Sequence, residues 1–190
     1  MIQGIKNLEI IYFGVDETSN SKNDHTFVMA ASPFKSDTVR VAHQPSMKHP
    51  VPLYDFYRQG SRTFVYTKTN GKHRRIYTPR DLYAHVIPQL VRGFFSINKD
   101  ISLPDRMKIF IDGAFNRRQR DLTRNLTARG LRISGERVSC KACPKRRVNY
   151  TSPLIAFADG IASAIPPTKG KRVFWQNFGG LRSKQVPIPD

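Results

Sequence analysis

Residues 10–18, Ile-Ile-Tyr-Phe-Gly-Val-Asp-Glu-Thr, constrain the fold of this chain more than any other stretch. The run is short, β-branched and aromatic, the composition of a buried strand rather than a helix. It ends on Asp16 and Glu17. A carboxylate at the end of a buried run is costly unless a cation or several donors meet it. The same order of apolar run and then acid returns at Met107-Lys108-Ile109-Phe110-Ile111-Asp112-Gly113. It returns again, in helical pattern, at Leu154-Ile155-Ala156-Phe157-Ala158-Asp159-Gly160. Acids are scarce here, 14 Asp+Glu against 32 Lys+Arg in 190 residues, so their recurrence in apolar elements calls for a common cause.

The remaining elements follow from patterning. Residues 8–15, His25–Ala31 and Asp37–Ala42 read as three strands joined by short loops, an antiparallel meander. Gln44 to Pro52 is proline-rich and irregular. Arg62–Thr67 is strand-like, and Asn70-Gly71 turns the chain at a basic tip, Lys72-His73-Arg74-Arg75. Thr78-Pro79-Arg80-Asp81 starts a helix whose Leu82, Val86, Leu90 and Phe94 share one face, with Pro88 expected to kink it. Met107–Asp112 is the next strand. Asn116 and Gln119 cap a second helix that Gly130 should stop. A strand is expected from Leu131 toward Ser139, then a basic loop over Cys140–Tyr150. A last helix starts at Thr151-Ser152-Pro153 and ends at Pro166-Pro167. Opening hairpins followed by alternating helix and strand predict an α/β domain with a mixed sheet and helices on its faces. The expected boundaries are a domain over residues 1–167 with a basic insert at about 44–77, and a basic extension over 168–190.

If strand one and the Met107–Asp112 strand are parallel neighbours, Asp16 and Asp112 lie side by side, since neighbouring strands are about 4.8 Å apart. Ligand sites of open α/β sheets lie beyond the carboxyl ends of the strands. Asp159 would join them from a helix packed across that edge. Carboxylates so gathered repel unless a divalent cation sits among them, and an oxygen-only set selects Mg²⁺ or Mn²⁺. Two such ions serve phosphodiester cleavage by activating water and stabilising the leaving oxygen. The expected metal and catalytic set is therefore Asp16, Asp112 and Asp159, with Glu17 as a fourth member. Glu17 points away from Asp16 if the strand runs on unbroken.

Gly14-Val15-Asp16-Glu17 resembles the opening motif of RNase HII, and Asp112 and Asp159 match that family's later acids in type and order. More broadly, the early Asp-Glu-Thr and the Ala158-Asp159 helix resemble an uncharacterised RNase H-like family. The resemblance covers about residues 8–165 and implies an RNase H-like fold. It implies a nuclease with a two-metal mechanism. The chain departs from RNase HII directly after the acids: Thr18-Ser19-Asn20-Ser21 stands in place of Ala-Gly-Arg-Gly. The RNA–DNA junction reader of that family is therefore not matched.

The net charge of +18 points to a polyanionic partner, RNA, DNA or their hybrid. Arg117, Arg120 and Arg124 share a helix face; Lys72, Arg74, Arg75, Lys145, Arg146 and Arg147 sit at loop tips where phosphate contacts concentrate. Tyr66, Tyr77 and Trp175 are aromatic candidates for stacking. Cys140 and Cys143 give one C-x-x-C, read as two ordinary thiols rather than half of a zinc site. There is no secretory signal and no apolar run near the ~20 residues that span a membrane. The expectation is an intracellular, cytoplasmic protein without a membrane partner. Two rivals to a nuclease are a non-catalytic nucleic-acid-binding module on the same fold and a transposase- or resolvase-type DNA-processing domain.

Overall fold

The computed structural model describes residues 8–19, 25–39, 41–42, 63–69, 79–113, 115–143, 150–164 and 184–185. In chain order these form β1 (Ile10–Ser19), β2 (His25–Ser32), a 3₁₀ turn (Lys35–Thr38), β3 (Val41–Ala42), β4 (Thr63–Thr69) and α1 (Pro79–Ile97). There follow β5 (Arg106–Asp112), α2 (Arg117–Leu131), a 3₁₀ turn (Gly135–Arg137), β6 (Val138–Cys143), β7 (Tyr150–Thr151), α3 (Pro153–Ala164) and β8 (Lys184–Gln185). The main sheet has the order β6-β5-β1-β2-β4-β8. β1, β2 and β4 are antiparallel neighbours, while β5 pairs parallel to β1 and β6 parallel to β5. This is the α/β mixed sheet expected of an RNase H-like fold: three antiparallel strands, then parallel ones, with helices on both faces.

The two faces hold separate cores. Ile11, Phe13 and Val15 of β1 point to one face, with Phe27, Met29, Met107, Ile109 and Ile111, under α1 and α2. Tyr12, Val28, Ala30 and Phe64 point to the other, under Leu154, Phe157, Ala158 and Ile161 of α3. The alternation along each strand thus decides which helix a residue meets. Gly14 lies on the α3 face, and a Cβ there would come within 2.8–2.9 Å of Leu154, side chain and backbone both. Its glycine lets α3 settle directly on β1.

Several sequence expectations need correction. The third strand of the sheet is β4, not Asp37–Ala42. Buried Asp37 accepts a hydrogen bond from Ser32 Oγ at 2.5 Å, and that hydroxyl accepts one from Phe34 N–H at 3.0 Å. These bonds turn the chain just after β2, and β3 pairs instead with β7 in a small separate sheet. α2 does not stop at Gly130. It runs to Leu131 and ends where Arg132 takes the left-handed conformation (φ 58°). Gly130 is exposed, and a Cβ there would meet only the flexible side chain of exposed Arg92, within 2.8 Å of its Cδ. Leu131 is therefore helical, and the strand begins only at Val138 and takes in Cys140 and Cys143. β1 extends beyond residue 15 to Ser19.

The Asn116–Gln119 capping box forms as expected, with Gln119 N–H donating to Asn116 Oδ1 at 2.9 Å and Asn116 N–H to Gln119 Oε1 at 3.1 Å. α1 is a single helix that includes Pro88. Among the described residues no helix is long and apolar enough to cross a membrane.

Candidate metal centre at the carboxyl ends of β1 and β5

Parallel pairing of β1 with β5 sets Gly14 opposite Phe110 and Val15 opposite Ile111. One step further along both strands stand Asp16 and Asp112. Val15 and Ile111 are in the core under α1 and α2, so Asp16 and Asp112 turn to the α3 face. Asp16 is 5% exposed and accepts a hydrogen bond from Glu17 N–H at 2.8 Å. Asp112 is half-buried. The strand ends directly after it because Gly113 adopts φ 97°, a backbone state that favours glycine and turns the chain toward the cap of α2. Asp159 is carried by α3, the helix seated on this face, five residues beyond the Leu154 that meets Gly14, and is half-buried.

Glu17 goes the other way. β1 stays paired with β2 without a break from Tyr12–Ser32 to Ser19–His25, so Glu17 points to the α1 face. His25, on that face and diagonal to it, donates from Nδ1 to Glu17 Oε2 at 2.6 Å. The hydroxyl of Tyr83, from α1, donates to the same carboxylate. Burial raises the Tyr83 pKa far above its ordinary value, and the charges of Glu17, Asp16 and Asp112 push it further in the same direction. Phe27 and Phe115 pack edge-on to Tyr83, at 4.8 and 5.3 Å between ring centroids. His25 is 5% exposed, and its Nε2 has no hydrogen-bond partner among the described residues.

Among the described residues no three His, Cys, Asp or Glu side chains stand close enough together to hold a metal ion between them. The chemistry of the donor set, carboxylate oxygens only, suits a hard divalent ion. Asp16 and Asp112 form the neighbouring pair at its centre. His25 and Tyr83 are absent from the sequence prediction. His25 was legible in retrospect: a polar residue at the start of a buried strand, two positions from a Phe that faces Glu17. Tyr83 carried no such signal, since a tyrosine on a half-buried helix flank is ordinary.

Of the predicted nucleic-acid contacts, Arg117, Arg120 and Arg124 all lie on α2. Asp121 pairs with Arg117 at 3.8 Å and with Arg124 at 3.6 Å, so an acid interrupts the stripe. Lys72, Arg74, Arg75, Lys145, Arg146 and Arg147 lie outside the described residues, as do Tyr77 and Trp175. Cys140 and Cys143, neither in a disulfide, stand three apart on β6 and so point to opposite faces. That geometry keeps one strand from offering both thiols to one ion. Burial pushes the Cys140 thiol up to about 12 against the lowering charges of Arg124 and Arg120.

No protein-family model matches the sequence, and no curated protein matches it. Among solved structures the chain is similar to one from the PCNA:RNase HII complex of Archaeoglobus fulgidus. The identity is 12% over 92% of this chain and 83% of that one, with a TM-score of 0.49. It is also similar to a mutant of Bst-RNase HIII, 17% identical over 93% of this chain and 55% of that one, with a TM-score of 0.43. At these scores the likenesses carry no weight of their own; strand order and register define the fold.

Proposed function

We propose that this protein is a metal-dependent nuclease that cleaves phosphodiester bonds by a two-metal mechanism. The observation that carries the reading is the β1–β5 register, which sets Asp16 beside Asp112 at the carboxyl end of the sheet. Like charges so placed favour a divalent cation. Asp16 and Asp112 would hold Mg²⁺ or Mn²⁺, with Asp159 contributing from α3, while Glu17 on the α1 side would support Asp16 through the strand they share. The bound ions would supply Lewis acidity and an activated water. The chain's own part is to fix the acids: Gly14 seats α3 on β1, Gly113 ends β5 at Asp112, and His25 with Tyr83 fixes Glu17. The +18 charge supplies the long-range attraction for RNA, DNA or a hybrid.

The test is calorimetric titration of wild type and Asp112→Asn with Mn²⁺, beside incubation of labelled RNA, DNA and hybrid with Mn²⁺. Saturable binding and cleavage by wild type, both lost in the variant, is the expected result. Equal Mn²⁺ binding by the two proteins removes the site. A second reading is a nucleic-acid-binding module without catalysis, or a DNA-processing domain of transposase or resolvase type. The module is favoured by the engagement of Glu17 with His25 and Tyr83 on the face away from Asp16 and Asp112. Salt-sensitive binding with no product from any substrate distinguishes the module; products from branched DNA alone distinguish the DNA-processing domain.

A further inference from the structure

Among the described residues, β5 and β6 are packed on one side and open on the other. Met107, Ile109, Ile111 and Val138 are buried toward α1 and α2, whereas the residues between them are half-buried or exposed. On the open side α3 packs over β1 and β2 and scarcely over β5. The pairing there is Lys108 beside Ser139, Phe110 beside Lys141 and Asp112 beside Cys143. Lys108 is half-buried, Phe110 is half-buried at the edge of the core under α3, and Ser139 and Lys141 are exposed. The Lys108 ammonium lies 5.9 Å from the centroid of the Tyr12 ring, which holds it on this face. Two ammonium groups and one aromatic ring thus occupy a strip two strands wide that ends at Asp112 and Asp16.

This face is also the one to which those two acids turn. The arginines of α2 lie on the opposite face, and Asp121 already pairs with two of them. A polyanion held by α2 would be separated from Asp16 and Asp112 by the thickness of the sheet. We propose that one strand of nucleic acid lies along the open β5–β6 strip, its phosphates met by Lys108 and Lys141 and a base set against Phe110. The inference rests on the proposed role of the acids for its direction, since the strip leads to them. Charge complementarity selects a phosphodiester backbone. The ring selects a single strand, because an unpaired base presents its face to an aromatic side chain and a stacked duplex does not.

The test is anisotropy of a labelled oligonucleotide, single-stranded and as duplex, titrated with protein in chelator without divalent metal across a salt series. The Lys108→Ser/Lys141→Ser variant is expected to bind the single strand at least about tenfold more weakly. Its salt slope should fall by roughly 1.4, the value for two single-strand phosphate contacts. Phe110→Leu should weaken the single strand several-fold and leave the duplex unchanged. Arg118→Ser/Arg129→Ser, which removes the same charge from exposed positions on α2, should cost less than about threefold. Circular dichroism and melting check folding, and Lys141→Ser alone, at an exposed position, tests the strip should the double variant unfold. Wild-type affinity and slope in the lysine variants overturn the strip, as does a larger loss in the arginine pair. Because no metal is present, the outcome is independent of cleavage. Strip-dependent binding without hydrolysis in Mn²⁺ removes the nuclease reading and keeps the strip; hydrolysis with unchanged binding by the lysine variants does the reverse.

Discussion

The two faces of the sheet treat their acids differently. Under α1, half-buried Glu17 receives hydrogen bonds from His25 and from Tyr83, whose ring packs edge-on against Phe27 and Phe115. On the α3 face, Asp16 and Asp112 stand next to each other at the margin of an open strip. A carboxylate with two donors needs nothing further to be stable in a buried position. Two carboxylates side by side carry a repulsion that a cation relieves. One residue of shift along β1 separates these situations, because strand alternation sends Asp16 and Glu17 to opposite sides. The dipeptide therefore sends its two acids into two environments, Glu17 toward His25 and Tyr83 and Asp16 toward the α3 face.

The sharpest way to break this contrast is to neutralise each acid in turn. Asp112→Asn should lower Mn²⁺-dependent cleavage by at least about a thousandfold, roughly 4 kcal/mol of barrier. Glu17→Gln should cost about ten- to a hundredfold, the range of residues that orient metal ligands. Equal losses would mean that both faces serve one site. The α3 face also depends on close approach. Gly14→Ala places a methyl within 2.9 Å of Leu154 backbone and should destabilise the fold by about 1–3 kcal/mol in urea unfolding, together with weaker Mn²⁺ binding. Unchanged stability would show that α3 is free to shift.

On the α1 face, Tyr83→Phe removes one donor to Glu17 and should cost about 1.5–3 kcal/mol, the range for a hydrogen bond to a charged group. In the Glu17→Gln background the same change should cost much less, and additivity in this double-mutant cycle would dissolve the cluster. The smallest effect separates the faces at β6. The Cys140 thiol, pushed up to about 12, is almost entirely protonated at pH 8. It should label with a thiol reagent more than about a hundredfold slower than in the unfolded chain, with the rate rising as pH approaches that value. Rapid labelling at pH 8 would show that α2 does not cover it.

The sequence announced the strands that carry the acids because Ile10–Val15 and Met107–Ile111 are apolar runs with no competing pattern. It announced the α2 cap because Asn116 and Gln119 stand at capping-box spacing. It misplaced the third strand because Asp37 looked like a loop-strand boundary, whereas its carboxylate folds back on Ser32. Gly130 looked like a helix stop because glycine favours the left-handed turn, but here Arg132 takes that conformation instead. The parallel pairing of the two strands that end in Asp16 and Asp112 was legible from the sequence. The roles of His25 and Tyr83 were not, since they depend on which helix lies over which face.

The β1–β5 pairing also bears on how the molecule reaches its native state. β1 meets β2 through a short connection, but Ile10 meets Arg106 only after almost the entire antiparallel half and α1 have been spanned. Contacts of such sequence separation close slowly, because the entropy of the intervening chain must be lost first. Asp16 therefore rides on a hairpin that can form without Asp112 nearby. The mutual repulsion of the two acids enters only at the closing step, when β5 docks, so it bears on the final docking rate and not on the early nucleus. Divalent ions present during refolding should accordingly speed the last phase alone.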